Sequence, residues 1–291
     1  MSLVLPTRAR SSAALVLAGV LWGTGGLAGS LLGDLAGLHP LAVAAYRLLV
    51  GGGVATLFVL LKGGALPRTP EAAKRVFVVG GLFALFQASY FAAVALSSVS
   101  VATMTTIGAA PVMVTLASVR KPQPWTLVSM LGTVAGLVLL RWSPDEPAHL
   151  FGGLACALLA AAGFAVLTLV TAKPVEGLEP LSTTAFGCLT GGLLLSPVAG
   201  WFGMALPLHA DVLAVACYLG AVPTALAYAA YLRGLADAHP VLGALSAVLE
   251  PLTAAVLAAV LFGERLGVTA WCGAAVLVAA LAVGYWRPEP R

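Results

Sequence analysis

Glu250 is the one carboxylate set deep inside an apolar run, and it stands directly before Pro251. Proline lacks the N–H that closes a helical turn, so a helix through this point leaves the carbonyl of Ala247 without its usual donor. A carboxylate beside opened backbone can bind a cation or an ammonium group, or exchange a proton once burial raises its pKa. A capped, protonated or arginine-paired glutamate would instead serve structure alone, and the residue types admit both readings. Ser246, Glu250 and Thr253 are spaced i, i+4, i+7 and share one helix face; Thr224, Tyr228 and Tyr231 do the same, as do Gln87 with Tyr90 and Thr103 with Thr106. With Trp22 as an aromatic wall, these side chains would line a cavity rich in hydrogen-bonding groups and π faces but poor in fixed charge. Any single Ser or Thr has the competing role of bonding its own helix or a neighbour. Arg47 is the other charge in an apolar run. It has the chemistry to hold a carboxylate, to snorkel to an interface, or to pair with Glu250 or a carbonyl.

The elements that must position these groups follow from composition. Of 291 residues 60% are hydrophobic and 9% charged, and the mean hydropathy is +1.03, whereas a soluble domain carries about 25% charged residues. Lipid must therefore be the solvent for most of the surface, which excludes a water-soluble enzyme, a disordered chain and a nucleic-acid binder. A spanning helix needs about 20 mostly apolar residues. On that measure the chain reads as all-α, with ten transmembrane spans at 11–32, 39–61, 76–96, 99–119, 125–142, 150–171, 180–202, 211–233, 241–261 and 268–286, numbered one to ten in this order. Pro111, Pro197, Pro223 and Pro251 fall inside spans, and Pro111 and Pro251 would bend spans four and nine as gates.

Charge sets the expected orientation. With the N-terminus in the cytoplasm, twelve Lys and Arg fall on inside loops and ends, and only Arg141 and Arg265 outside; such a bias fixes topology. Ten spans bring both termini to the cytoplasm. Residues 1–28 resemble a signal peptide in Arg8, Arg10 and the apolar core that follows, but their counterpart in the second half is internal, which favours a retained span. Cys156, Cys188, Cys217 and Cys272 lie in apolar stretches without paired spacing and read as small buried hydrophobes, neither metal ligands nor disulfide partners. There is no G-x-x-x-x-G-K-[ST], H-E-x-x-H or G-x-S-x-G sequence, so nucleotide, metal and other cofactors are not expected, and an integral-membrane enzyme is disfavoured.

A repeat organises the whole. Residues 40–52 and 180–192 match at six of thirteen positions on a shift of 140, which also sets Gly23 on Gly163 and Pro111 on Pro251; one inserted residue then sets Gly132 on Gly273. The halves are 1–146 and 147–291. Each has five spans, so the second copy enters the membrane inverted. Inverted repeats supply two nearly equivalent packings open to opposite faces, with a site near the midplane. The expectation is a secondary transporter with a small-molecule substrate and the bilayer as its partners. A passive channel or facilitator on the same scaffold is the alternative.

The stretch Leu249-Glu-Pro-Leu-Thr-Ala-Ala-Val-Leu-Ala-Ala-Val-Leu-Phe-Gly-Glu264-Arg-Leu resembles the EamA-like group of the drug/metabolite transporter superfamily. So do Leu21-Trp-Gly-Thr24 and Arg47 after His39-Pro40. In the first repeat Gln123 stands near the place of Glu264, so only one copy of that glutamate survives, and Glu264 reads as a turn residue. The resemblance implies a multi-pass exporter of small metabolites, amino acids or their analogues, in the bacterial inner membrane, and the Trp/Tyr content is similar to that of the aromatic amino-acid exporter branch. Phosphorylated substrates, which would need several midplane cations, are disfavoured with Arg47 alone.

Overall fold

The computed structural model describes residues 7–64, 66–97, 99–141, 150–262 and 267–286. Among the described residues ten helical spans cross it: Thr7–Ala36, Pro40–Leu61, Pro70–Leu96, Val99–Ser118, Pro124–Arg141, Leu150–Thr171, Pro180–Trp201, Ala210–Asp237, 240–262 and Val268–Trp286. At 1.5 Å per residue a 22-residue span is about 33 Å long, enough for the hydrocarbon core. Among the described residues nine helices are long and apolar enough to cross a membrane, and span five is a shorter apolar helix. Extended structure there amounts to one isolated bridge, Val175 to Leu178.

Two sequence expectations need correction. Span three begins at Pro70, six residues before the apolar run at 76, because Thr69 caps it (Ala72 N–H to Thr69 Oγ1, 3.2 Å) and Pro70 suits the first helical turn. Spans eight and nine are not continuous α-helices. Span eight widens into a π-helix at Ala221–Leu226, around Pro223, and span nine breaks between Ser246 and Leu249, ahead of Pro251. Pro111, by contrast, lies within an unbroken span four.

The repeat is written into the turns and contacts. Among the described residues the glycines with positive φ are Gly37, Gly63, Gly177 and Gly203, two pairs each 140 residues apart. A side chain there costs about 1–2 kcal/mol, so both halves keep glycine at the same two reversals. Spans two and seven meet through a matching exchange. A Cβ on Gly52 would sit 2.3 Å from the Leu189 nitrogen, and one on Gly192 would sit 2.9 Å from the Leu49 nitrogen. As numbers rise from 49 to 52 their partners fall from 192 to 189, so the two equivalent helices run antiparallel. Spans five and ten repeat this geometry, with Gly132 on Ala280, Gly136 on Leu277 and Gly273 on Leu139 and Leu140, at a shift of 141. Span one packs on eight and nine as span six packs on three and four. The two copies are thus inverted with respect to one another.

Around this frame the outward side chains are apolar, with Leu61, Leu116, Leu131, Val260 and Val278 all exposed. Cys217 and Cys272 belong to that lipid-facing surface, while Cys188 is buried and Cys156 half-buried. The expectation of four buried cysteines fails for two because lipid-facing and core-facing positions are equally apolar in a membrane helix. Trp201, Trp271 and Trp286 are exposed near span ends, as interfacial tryptophans should be.

Candidate functional site

A cavity lies where the two repeats meet, with about 600 Å³ of empty space counted out to its mouth. Spans one, two, three, four, six, eight and nine supply its wall: Trp22, Arg47, Phe86, Gln87, Tyr90, Phe91, Thr106, Ile107, Ala110, Phe164, Tyr228, Ala247 and Glu250. Ile107 and Ala247 are repeat equivalents, and so are Ala110 and Glu250. The relation between the copies therefore runs through this space, and the Ala110–Glu250 pair breaks it there with a carboxylate. Most wall residues sit near the middle of their spans, with Tyr90 and Phe91 nearest the loop between spans three and four. On the side of the bundle that holds the chain ends, Leu15, Leu167, Tyr231, Leu235 and Leu245 are fully buried and fill the space.

Aromatic rings form the inner wall. Trp22 is 5.1 Å from Tyr228 and from Tyr231 and 6.0 Å from Phe164, and Tyr228 meets Phe83 at 4.6 Å. Tilted and edge-on contacts at these separations favour a rigid cluster. Its hydroxyl ends are tied down: Tyr231 bonds Thr168 at 2.6 Å and Tyr90 bonds Thr103 at 2.7 Å.

The two irregular helices explain the polar residues beside them. Pro223 has no N–H, so the carbonyl of Leu219 lacks its donor, and the Thr224 hydroxyl donates to it at 2.7 Å. The same hydroxyl oxygen accepts from Arg47 Nε at 3.2 Å, while Arg47 Nη2 donates to the Pro223 carbonyl at 3.4 Å. In span nine the Ala247 carbonyl is not left open, as the sequence suggests. The N–H of Glu250 reaches it at 3.0 Å, tightening the turn, and Val248 N–H reaches the Leu245 carbonyl at 3.1 Å. This turn sets Glu250 at the cavity wall with its side chain half-buried.

Of the residues singled out from sequence, Trp22, Gln87, Tyr90, Thr106, Tyr228 and Glu250 line the cavity. Thr103, Thr224, Tyr231 and Ser246 do not. Thr103 holds Tyr90, Thr224 seals span eight, and Tyr231 packs behind Trp22. Ser246 donates to the Leu242 carbonyl at 2.6 Å and shares a hydrogen bond with Tyr285 at 2.6 Å, the helix-to-helix role open to any serine in a membrane. Thr253 faces span one, against Gly23. Arg47 is fixed inside the bundle by Thr224 and a carbonyl and does not snorkel. Phe86, Phe91 and Phe164 join the wall unannounced, because phenylalanine in an apolar run carries no signal of which way it faces. Pro223 had a signal: a proline inside a span, followed by threonine. Glu264, Trp142 and Arg265 lie outside the described residues.

Thr224→Val keeps the side-chain volume and strips the hydroxyl from the buried Leu219 carbonyl and from Arg47. The expected result is a loss of about 1–3 kcal/mol, read as a lower melting temperature of the detergent-solubilised protein, with Thr224→Ser near wild type. Equal melting of the two variants would contradict this role.

A lipid-exposed bundle of ten spans, inverted in its halves around a central cavity, defines a membrane protein of the transporter class. The profile of the EamA-like transporter family matches it twice, over residues 10–142 and 151–286. The chain belongs to the EamA-like transporter family. It is 30% identical to an uncharacterized transporter, YwfM, of Bacillus subtilis (strain 168) over 273 residues, 92% of this chain and 91% of that protein. A solved crystal structure superposes with a TM-score of 0.79 at 20% identity, covering 94% of this chain and 96% of its own, and so shares the fold.

Proposed function

We propose that this protein is a secondary transporter that exports small neutral or zwitterionic metabolites by alternating access. Amino acids, aromatic ones among them, are the proposed substrates, and a bacterial inner membrane is the proposed location. The observation that carries this reading is the mid-bundle cavity at the seam of the inverted repeats, walled by aromatic rings and holding Glu250 at a broken helix. Broken helices at a repeat interface are where such carriers bind solute and coupling ion. The rings suit an apolar side chain, and Glu250 with Arg47 supplies charges of both signs for an ammonium and a carboxylate. Span nine, jointed ahead of Pro251, and span eight, at its π-segment, are the proposed moving elements; Pro111 would serve as a milder bend in span four.

Purified protein in liposomes loaded with unlabelled amino acids tests the reading. Uptake of labelled solute that saturates and is driven by counterflow is the expected result. Linear flux without counterflow would replace the carrier with a passive facilitator, and recovery of chemically altered solute would point to an enzyme. The proposed orientation places both termini in the cytoplasm. Reporter fusions after Arg75 and at the C-terminus should both read cytoplasmic, and a periplasmic signal from either would overturn it.

A further inference from the structure

Three nitrogen donors meet at the cavity wall with hydrogen-bonding capacity to spare. Trp22 is 3% exposed and Gln87 1% exposed, and both line the cavity. Among the described residues neither Trp22 Nε1 nor Gln87 Nε2 has a hydrogen-bond partner. A buried N–H left unmade costs about 1–3 kcal/mol, so two at one cavity call for an explanation. The third donor is Arg47, whose Nε and Nη2 are tethered to Thr224 and the Pro223 carbonyl. A guanidinium has five N–H groups in a rigid fork; two bonds hold it in place and three hydrogens remain, on Nη1 and Nη2.

The repeats show that this corner is specialised. The equivalent of Arg47 is Gly187, where a Cβ would already meet Val79 at 2.6 Å. The equivalents of Pro223 and Thr224 are Phe83 and Ala84, in a span three that stays α-helical. The symmetry-related corner, Gly187 of span seven with Phe83 and Ala84 of span three, thus has neither the cation nor the bulge that orients it. Symmetry alone would not place a tethered arginine at the cavity.

We infer that Arg47 binds a carboxylate of the transported solute through its outer N–H groups, with Trp22 and Gln87 as co-donors, and that the π-segment at Pro223 exists to aim the fork. The inference rests on the transport reading and deepens it: the solute must carry a carboxylate. Planar bidentate recognition is the geometry that arginine supplies and lysine does not. A site built around buried donors rejects a solute lacking the matching acceptor far more strongly than an apolar pocket rejects a missing methylene.

The test uses purified full-length protein and matched probes: L-phenylalanine, L-phenylalaninamide and phenethylamine, with leucine and its amide and amine as a second set. Binding is read as the shift in melting temperature in detergent, and transport as competition in counterflow. In wild type the acids should bind at least about tenfold more tightly than their amides and amines. Arg47→Gln should bring that ratio close to one. Arg47→Lys, which keeps the charge and guards against simple misfolding, should retain a reduced ratio. Trp22→Phe, which keeps a ring against Phe164 and Tyr228, should weaken acid binding several-fold and leave amine binding unchanged. Amines binding as tightly as acids to wild type, or an undiminished ratio in Arg47→Gln, would overturn the inference. Acid-selective binding without counterflow would sustain it and count against transport, whereas counterflow blind to the carboxylate would do the reverse. Absence of both binding and counterflow would reject both.

Discussion

Glu250→Gln should reduce counterflow by about 30-fold or more while the protein is still produced and still melts as the wild type does. The amide keeps the volume of the carboxylate and its place on the wall. The turn that positions it is made by backbone atoms, from Glu250 N–H to the Ala247 carbonyl. What goes is the negative charge that would meet a cationic solute group or coupling ion on the wall, and losing one partner of such a charge pair costs about 2–5 kcal/mol. A charge held in a membrane interior is expensive to keep, and its repeat mate Ala110 shows that the scaffold does not require one. Glu250→Asp should retain measurable flux. Counterflow within twofold of wild type in Glu250→Gln would remove the carboxylate from the transport mechanism.

The second large effect falls on the frame. Gly52→Ala forces a methyl group to within 2.3 Å of the Leu189 backbone nitrogen, and backbone cannot swing aside as a side-chain tip can. Spans two and seven must separate, at a cost of about 3 kcal/mol or more. Gly192→Ala makes the equivalent contact at 2.9 Å and should cost less. Gly53→Ala, one residue along the same helix, meets nothing within 4 Å and should leave stability unchanged or slightly raised. Thermal melting in detergent should therefore rank the three with Gly52→Ala lowest and Gly53→Ala at the wild-type value. Melting of Gly52→Ala within about a degree of Gly53→Ala would deny that these two spans are the close-packed seam.

Much of this architecture is legible in the sequence. Run length gives the ten spans because hydrocarbon thickness sets a ruler, and the shift of 140 gives the inversion because five is odd. Even the change to 141 at Gly132 and Gly273 recurs in the contacts of spans five and ten. The paired turn glycines, Gly37 with Gly177 and Gly63 with Gly203, were equally available and would have strengthened the repeat. The cavity wall was only partly legible. Periodicity separates polar from apolar faces, and in lipid both the outer and the inner faces are apolar, so Phe86 and Phe164 could not be told from Leu85. Ser246 and Thr224 read as pathway residues because a hydroxyl in a span is conspicuous; their geometry assigns Ser246 to helix contact and Thr224 to helix repair. Arg47 was ambiguous because its partners, Thr224 and the Pro223 carbonyl, lie 177 and 176 residues away in sequence.

Alternation of the cavity between the two faces is the central claim, and a single cysteine tests it most directly. Ala110 lines the cavity in the middle of span four, opposite Glu250 in the repeat. Ala110→Cys is made in a protein whose Cys156, Cys188, Cys217 and Cys272 are replaced by alanine, then reconstituted in liposomes of known orientation. A membrane-impermeant thiol reagent is added to one side at a time, with and without an amino acid that supports counterflow. Alternation predicts reaction from either face, with the solute slowing modification from one side as it speeds modification from the other. Equal and solute-independent reaction from both faces would describe an open pore, and lasting protection from one face would mean the cavity never changes sides; either result would contradict it.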